Sequence, residues 1–291
     1  MAFEMDMLCP AFEDGIEVKL DALPGLTLSL EQCNVWDNCA TGGLLWQMDR
    51  VVAEYLSKEP GYGVPAGTAL VLGCGGVPLS GLIAYALGWN VVLTDLNVVL
   101  SQTRRNLSRN MEALQSARCA SGQYTASALA IQVRSLPFGD MASLDSALEA
   151  SEGEQDSEAF ERKLLILCSD CIWQQQLHQP LLETIASALS GACGYGTAVA
   201  LIAFETRDAF TEQHFLEQAR GKAFELEVAQ VDLGDALSSV QWPTSEGAVS
   251  GKTGIPASER FLMYRLTAKP TQSPALFQQR LRGCPVSFSP P

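Results

Sequence analysis

Residues 70–81 read LVLGCGGVPLSG, a run whose residue types suit close approach of the backbone to a ligand. Gly73, Cys74 and Gly75 follow a predicted strand, and Leu79 opens a predicted helix whose N–H groups would face whatever sits at the turn. A plain tight turn with no ligand has the same composition. The addition is Asp95, which ends the next strand pattern, NVVLTD, 20 residues beyond Gly75. A carboxylate there can accept both hydroxyls of a ribose, and it can also cap the helix that follows. NAD and S-adenosylmethionine both carry such a ribose. The dinucleotide form G-x-G-x-x-G is interrupted by Pro78, three residues after Gly75, which favours S-adenosylmethionine.

Other reactive side chains point less clearly. Cys168 and Cys171 have the spacing of a zinc or redox pair, yet there is no second pair, and His178 and His214 are the chain's two histidines. No metal site is expected, and both cysteines are expected to pack. The histidines, in or beside predicted helices and without a neighbouring Ser or Cys motif, read as ordinary surface residues. Asn106 is expected to brace the helix after Asp95.

The elements that must hold these residues alternate regularly. The segments EVKLDAL and LTLSLEQ in residues 1–35 predict a small hairpin or edge strand. From Gly43, the stripe Leu44, Leu45, Met48, Val51, Val52, Tyr55 predicts an amphipathic helix. Strands TALVL, NVVLTD, ALAIQV, KLLILCSD and TAVALIAF then alternate with helices LSGLIAYAL, VVLSQTRRNLSRNMEAL, QPLLETIASAL and DAFTEQHFLEQA, which predicts a parallel sheet covered on both faces. The strands AFELEVAQV and RFLMYRLTA, separated by the loop SSVQWPTSEGAVSGKTG, predict an antiparallel pair closing the sheet. Residues 141–162, rich in Asp and Glu, read as an inserted solvated loop or frayed helix, solubilising or a docking strip for a basic segment. The reading divides the chain into an N-terminal extension (1–40), one α/β domain (41–268) and a loose tail (269–291).

Composition narrows the class. The chain has 291 residues, 47% hydrophobic and 18% charged, which suits a folded domain with a large core. Its formal net charge of −14 argues against a duplex nucleic-acid partner and for a basic one. There is no basic, apolar leader and no run of about 18 apolar residues, so neither secretion nor membrane insertion is expected. Nine scattered cysteines read as reduced thiols. A cytoplasmic monomer, also able to enter the nucleus, is the expectation.

Taken in order, TGGLLWQMDRVVAEYL, LVLGCGGVPLSG, VVLTDLNVVLSQTRRNLSRN, LPFGD, LCSDCIWQQQLHQPLLETIASAL and FETRDAF, within residues 27–267, resemble the seven-β-strand S-adenosylmethionine-dependent protein lysine methyltransferases. These are the family 16 type of the methyltransferase-like group, which modify chaperones and elongation factors. The resemblance implies a Rossmann-like class I methyltransferase fold, with a seven-stranded, mostly parallel sheet and a terminal antiparallel strand. It places Trp46, Gly73, Cys74, Gly75, Asp95, Phe138 and Ser169 at the cofactor, with Phe138 near the adenine. It lands the family's Asp-x-x-Tyr motif on Asp170 to Trp173, beside the methyl donor, where Asp170 would position the lysine ammonium and Trp173 would wall an aromatic channel. The plain alternative is that Asp170 caps the next helix and Trp173 is core. Three departures stand out: Val71 replaces the acid before the glycine turn, the turn is longer by one residue, and Trp173 replaces an aromatic hydroxyl. A non-catalytic scaffold, and a methyltransferase acting on histidine or a small molecule, therefore stay open.

Overall fold

The computed structural model describes residues 15–33, 40–63, 67–120, 130–149, 162–191, 195–240 and 257–269. Strands β1 (Gly15–Lys19) and β2 (Thr27–Glu31) pair antiparallel as the expected hairpin. A seven-stranded sheet follows, built from β3 (Gly67–Leu72), β4 (Asn90–Asp95), β5 (Ile131–Ser135), β6 (Arg162–Ser169), β7 (Tyr195–Glu205), β8 (Glu227–Gln230) and β9 (Phe261–Thr267). Its order is β5-β4-β3-β6-β7-β9-β8. Strands β3 to β7 run parallel, and β9 lies antiparallel between β7 and β8. This is the Rossmann-like arrangement expected above, a seven-stranded, mostly parallel sheet with an antiparallel strand near one end. The last strand in the chain closes the antiparallel pair from inside the sheet rather than from its edge.

Alternation along each strand builds two cores. Ala69 and Val71 of β3, with Leu165 and Leu167 of β6, face α1 (Gln47–Lys58), α2 (Leu79–Ala86) and the β1–β2 hairpin. Leu70 and Leu72, with Leu164, Ile166 and Cys168, face α5 (His178–Gly191) and α6 (Ala209–Arg220). Helix α3 (Asn97–Ala120) buries Gln102, Asn106 and Asn110, polar residues whose amides replace missing backbone partners. Asn106 bonds both the N–H and carbonyl of Glu31 and the carbonyl of Gly76, so it ties β2 to the glycine turn as well as bracing its own helix.

Four expectations need correction. The acidic segment is not an insertion from its start: Met141–Glu149 form α4, capped by Asp140 through Ser143 N–H (3.1 Å) and seated on α5 by the buried Leu144 and Ala147. The charge count hid a three-residue apolar spacing, and 150–161 lie outside the described residues. Helix α1 starts at Gln47, leaving Leu44 and Leu45 buried ahead of it. Gly234–Ser239 form a short helix, α7, that runs into the expected loop, because Leu233, Ala236 and Val240 are buried; the rest of that loop, 241–254, lies outside the described residues. His178 is fully buried rather than on the surface. A four-residue helix, α8 (Ala257–Arg260), leads into β9, and of the tail only Lys269 is described.

Candidate functional site

In this sheet the chain runs β3, β4, β5 outward and then returns to lay β6 on the other side of β3, so the carboxyl ends of β3 and β6 part at a crevice. A cavity of about 380 Å³ lies there. Trp46, Gly73, Cys74, Gly75, Asp95, Phe138, Ser169, Asp170 and Trp173, the nine residues that the sequence singles out, all line it.

The glycine turn is held from several sides. Gly73 and Gly75 have φ of 63° and 66°, and a Cβ on Gly73 would meet Cys171 Sγ at 2.5 Å, so a side chain there is both strained and obstructed. Cys74 N–H bonds Thr94 O (2.9 Å), and Gly75 N–H bonds Asp95 Oδ2 (2.8 Å). On the other side Gly76 N–H bonds Gly42 O (2.7 Å), while Gln102 bonds Gly43 O (2.9 Å). The segment carrying Trp46 is thereby stitched to the turn. Asp95 also accepts from Leu96 N–H (2.7 Å) and does not reach the first turn of α3, so the capping alternative fails. Burial pushes its carboxyl up, and each oxygen keeps a lone pair for a hydroxyl.

Across the turn from Asp95 stands a carboxylate that sequence reasoning missed. Asp49 of α1 is buried and lines the cavity, accepting from Ser80 N–H (3.1 Å) at the start of α2 and from Ser169 Oγ (3.2 Å) at the end of β6. Ser169 therefore both lines the cavity and holds Asp49 in place. Burial raises the Asp49 carboxyl above its ordinary range against those hydrogen bonds, and among the described residues no ion pair neutralises it. In sequence it looks like any acid in a helix first turn, where the macrodipole favours one.

The rim beyond β6 is built differently. Asp170 has φ of 53°, an uncommon conformation that costs on the order of 1–3 kcal/mol in a non-glycine residue. Its Oδ1 accepts from Glu205 N–H (3.0 Å) and from Arg207 Nη1 (3.2 Å), while Oδ2 is buried with no partner among the described residues. Burial lifts the carboxyl to about 6, partly opposed by Arg207. The Arg207 guanidinium, also paired with Glu205 (3.1 Å), lies 5.1 Å from the Trp46 ring centroid, so one cation spans both walls. Helix α5 begins at His178, too far along for Asp170 to cap it, and Trp173 is 51% exposed at the mouth, so neither part of the plain alternative holds. Cys171 and Cys74 also line the cavity, but their thiols are pushed well up, Cys171 by Cys168 and burial, Cys74 by burial, so neither rests as a thiolate nucleophile. Among the described residues no group of three His, Cys, Asp or Glu could hold a metal ion, and no helix is long and apolar enough to cross a membrane.

The arrangement can therefore take a ligand with hydroxyls at one end and a cation at the other, and present it to a group docked at Asp170. No protein-family model matches the sequence, and no curated protein matches it. Among solved structures, it is similar to an O-methyltransferase family protein from Burkholderia thailandensis (13% identity, TM-score 0.40, covering 76% of this chain and 56% of that one). It is also similar to a SAM-dependent methyltransferase from Agrobacterium tumefaciens (14%, 0.43, 89% and 72%) and to the human methyltransferase 10 domain containing protein (10%, 0.37, 76% and 80%). The chain thus spans little more than half the length of the first of these. At such identities the likeness concerns chain path, and the chemistry rests on the cavity's own residues.

Proposed function

We propose that this chain is an S-adenosylmethionine-dependent methyltransferase whose acceptor is the side-chain amine of a lysine in a protein. The observation that carries this reading is a pair of carboxylates lining one cavity, the half-buried Asp95 bonded to the glycine turn and the buried Asp49 bonded to the start of α2. Asp95 would take the ribose hydroxyls, Phe138 would lie by the adenine, and Asp49 would meet the methionine ammonium, a cation that would neutralise an otherwise unpaired buried charge. Val71 in place of an acid left a non-catalytic scaffold open; Asp49 would supply that charge from a different element.

When bound, S-adenosylmethionine supplies an electrophilic methyl group on a sulfonium. The chain's own residues handle the acceptor. Asp170 Oδ2, buried and unpartnered, accepts an N–H from the incoming amine and fixes its direction. Attack requires the neutral amine, so a proton must leave before or during transfer; Asp170, lifted to about 6, can hold that proton on its way to solvent. Trp173 covers the aliphatic stem and excludes water, which favours the uncharged amine. A protein substrate with basic segments, such as a chaperone or elongation factor, suits a chain of net charge −14.

The test is calorimetric titration with S-adenosylmethionine and S-adenosylhomocysteine, with NAD as control, followed by labelled-donor transfer into lysate proteins. Micromolar binding of the first two and label on lysine support the reading. Absence of binding would overturn it, and label on histidine or a small molecule would overturn the acceptor assignment.

A further inference from the structure

The two histidines form a hydrogen-bonded chain beneath the rim of the cavity. His178 Nε2 lies 2.8 Å from the carbonyl oxygen of Ile172, and its Nδ1 lies 3.2 Å from Nδ1 of His214 on α6. His214 Nε2 lies 3.3 Å from Gln218 Nε2, and the His178 and Phe215 rings meet edge to face with 5.3 Å between centroids. A carbonyl only accepts, so the proton on His178 sits on Nε2. Its Nδ1 in the neutral ring must then accept, so His214 donates from Nδ1, and His214 Nε2 accepts from the Gln218 amide. Each partner fixes the next, so the two rings as neutral imidazoles carry opposite tautomers.

What this chain holds is the segment between the two acceptor-side residues: Ile172 lies between Asp170 and Trp173. That segment starts from the left-handed backbone at Asp170, which persists only where its surroundings over-determine it. Asp170 N–H bonds Ala203 O (2.8 Å) at one end, and Gln175 Nε2 bonds Thr211 Oγ1 (3.2 Å) at the other. Between them His178 grips the Ile172 carbonyl. We propose that His178, oriented by His214 and Gln218, is a positioning residue that sets Asp170 and Trp173 in place for the acceptor without touching the cofactor. Only the identity of the reaction here rests on the methyl-transfer reading.

Long-range ¹⁵N NMR of the imidazoles tests the chain directly, since two histidines give two assignable rings. The expected result is His178 protonated on Nε2 and His214 on Nδ1; His178 protonated on Nδ1 alone would overturn the proposal. His178→Phe keeps the ring's bulk and removes the donor, whereas His178→Gln returns an N–H near Nε2. In His178→Phe, amide shifts should move across 170–175 and stay in place at Gly73–Gly75. S-adenosylhomocysteine affinity should hold within about twofold, and kcat/KM for the acceptor should fall about 10- to 100-fold. His178→Gln should recover most of that loss. Equal loss of cofactor binding and turnover, or no rescue by Gln, would show a general structural role and overturn it. If the unsubstituted protein transfers no methyl group, that reading fails on its own, while the tautomers and amide shifts still decide the positioning role.

Discussion

Asp49→Asn separates a ligand-binding charge from a structural one. The amide is isosteric, and its oxygen can still accept from Ser80 N–H (3.1 Å in the parent) and keep the start of α2 capped. What it removes is a buried charge with no ion-pair partner among the described residues. In the ligand-free protein that charge carries a desolvation cost, so the variant should melt at the same temperature or higher. A charge-assisted hydrogen bond to an ammonium contributes about 1.5–3 kcal/mol, which corresponds to a rise in Kd of about 10- to 150-fold. The assay is calorimetry with two ligands. S-adenosylhomocysteine carries the amino-acid cation and should lose that much; 5′-methylthioadenosine lacks it and should bind both proteins equally. Equal S-adenosylhomocysteine affinity in the two proteins would refute the role of Asp49, as would parallel loss of both ligands.

Asp95→Ala should weaken S-adenosylhomocysteine by at least about 100-fold in calorimetry, because two hydrogen bonds to a charged group are lost together, while circular dichroism remains native. Asp170, lifted to about 6, should give kcat/KM for the acceptor a limb that rises with pH through about 6, and Asp170→Asn should abolish that limb with little change in cofactor affinity. Its stability has the opposite slope: a folded carboxyl lifted above its ordinary value favours the native state while protonated, and that contribution is lost as pH rises from about 4 to about 6. Asp170→Asn should therefore raise the melting temperature near pH 7.5, with the gain shrinking as pH falls from about 6 to about 4. Gly73→Ala puts a Cβ 2.5 Å from Cys171 Sγ at φ 63°, and urea unfolding should show a loss of about 1–3 kcal/mol.

The strands and helices that alternate through β3 to β7 were legible because period-2 and period-3.6 patterns follow directly from which faces are buried. The placement of β9 between β7 and β8 was not, since alternation reports the face a side chain takes and not the neighbour its strand pairs with. Helix α4 was expected at most as a frayed, solvated helix because its apolar residues sit among acids, yet Leu144 with Ala147 is enough to seat it. In α3 the misleading residues are polar: Gln102, Asn106 and Asn110 are all but completely buried because each serves the backbone of β2 or the glycine turn. A pattern that scores amides as surface cannot anticipate amides used as connectors.

The site shows the same limit at its centre. Motif order brings Gly73, Asp95 and Asp170 together because all three end parallel strands, and strand ends converge at the crevice by topology alone. Asp49 arrives by packing. Val71, where a motif expects the acid, is 3% exposed and faces the α1–α2 side of the sheet among apolar neighbours. A carboxylate at 71 would be buried there, whereas one from α1 reaches the cavity between Ser80 N–H and Ser169 Oγ. Those two donors lie on different elements, one at the start of α2 and one at the end of β6, so Asp49 also pins α1 to both. If Asp49 meets the ligand's cation as proposed, affinity depends on how α1 docks rather than on the turn alone. Loss of the acid from a motif is therefore not evidence of a disabled pocket until the neighbouring helix has been inspected.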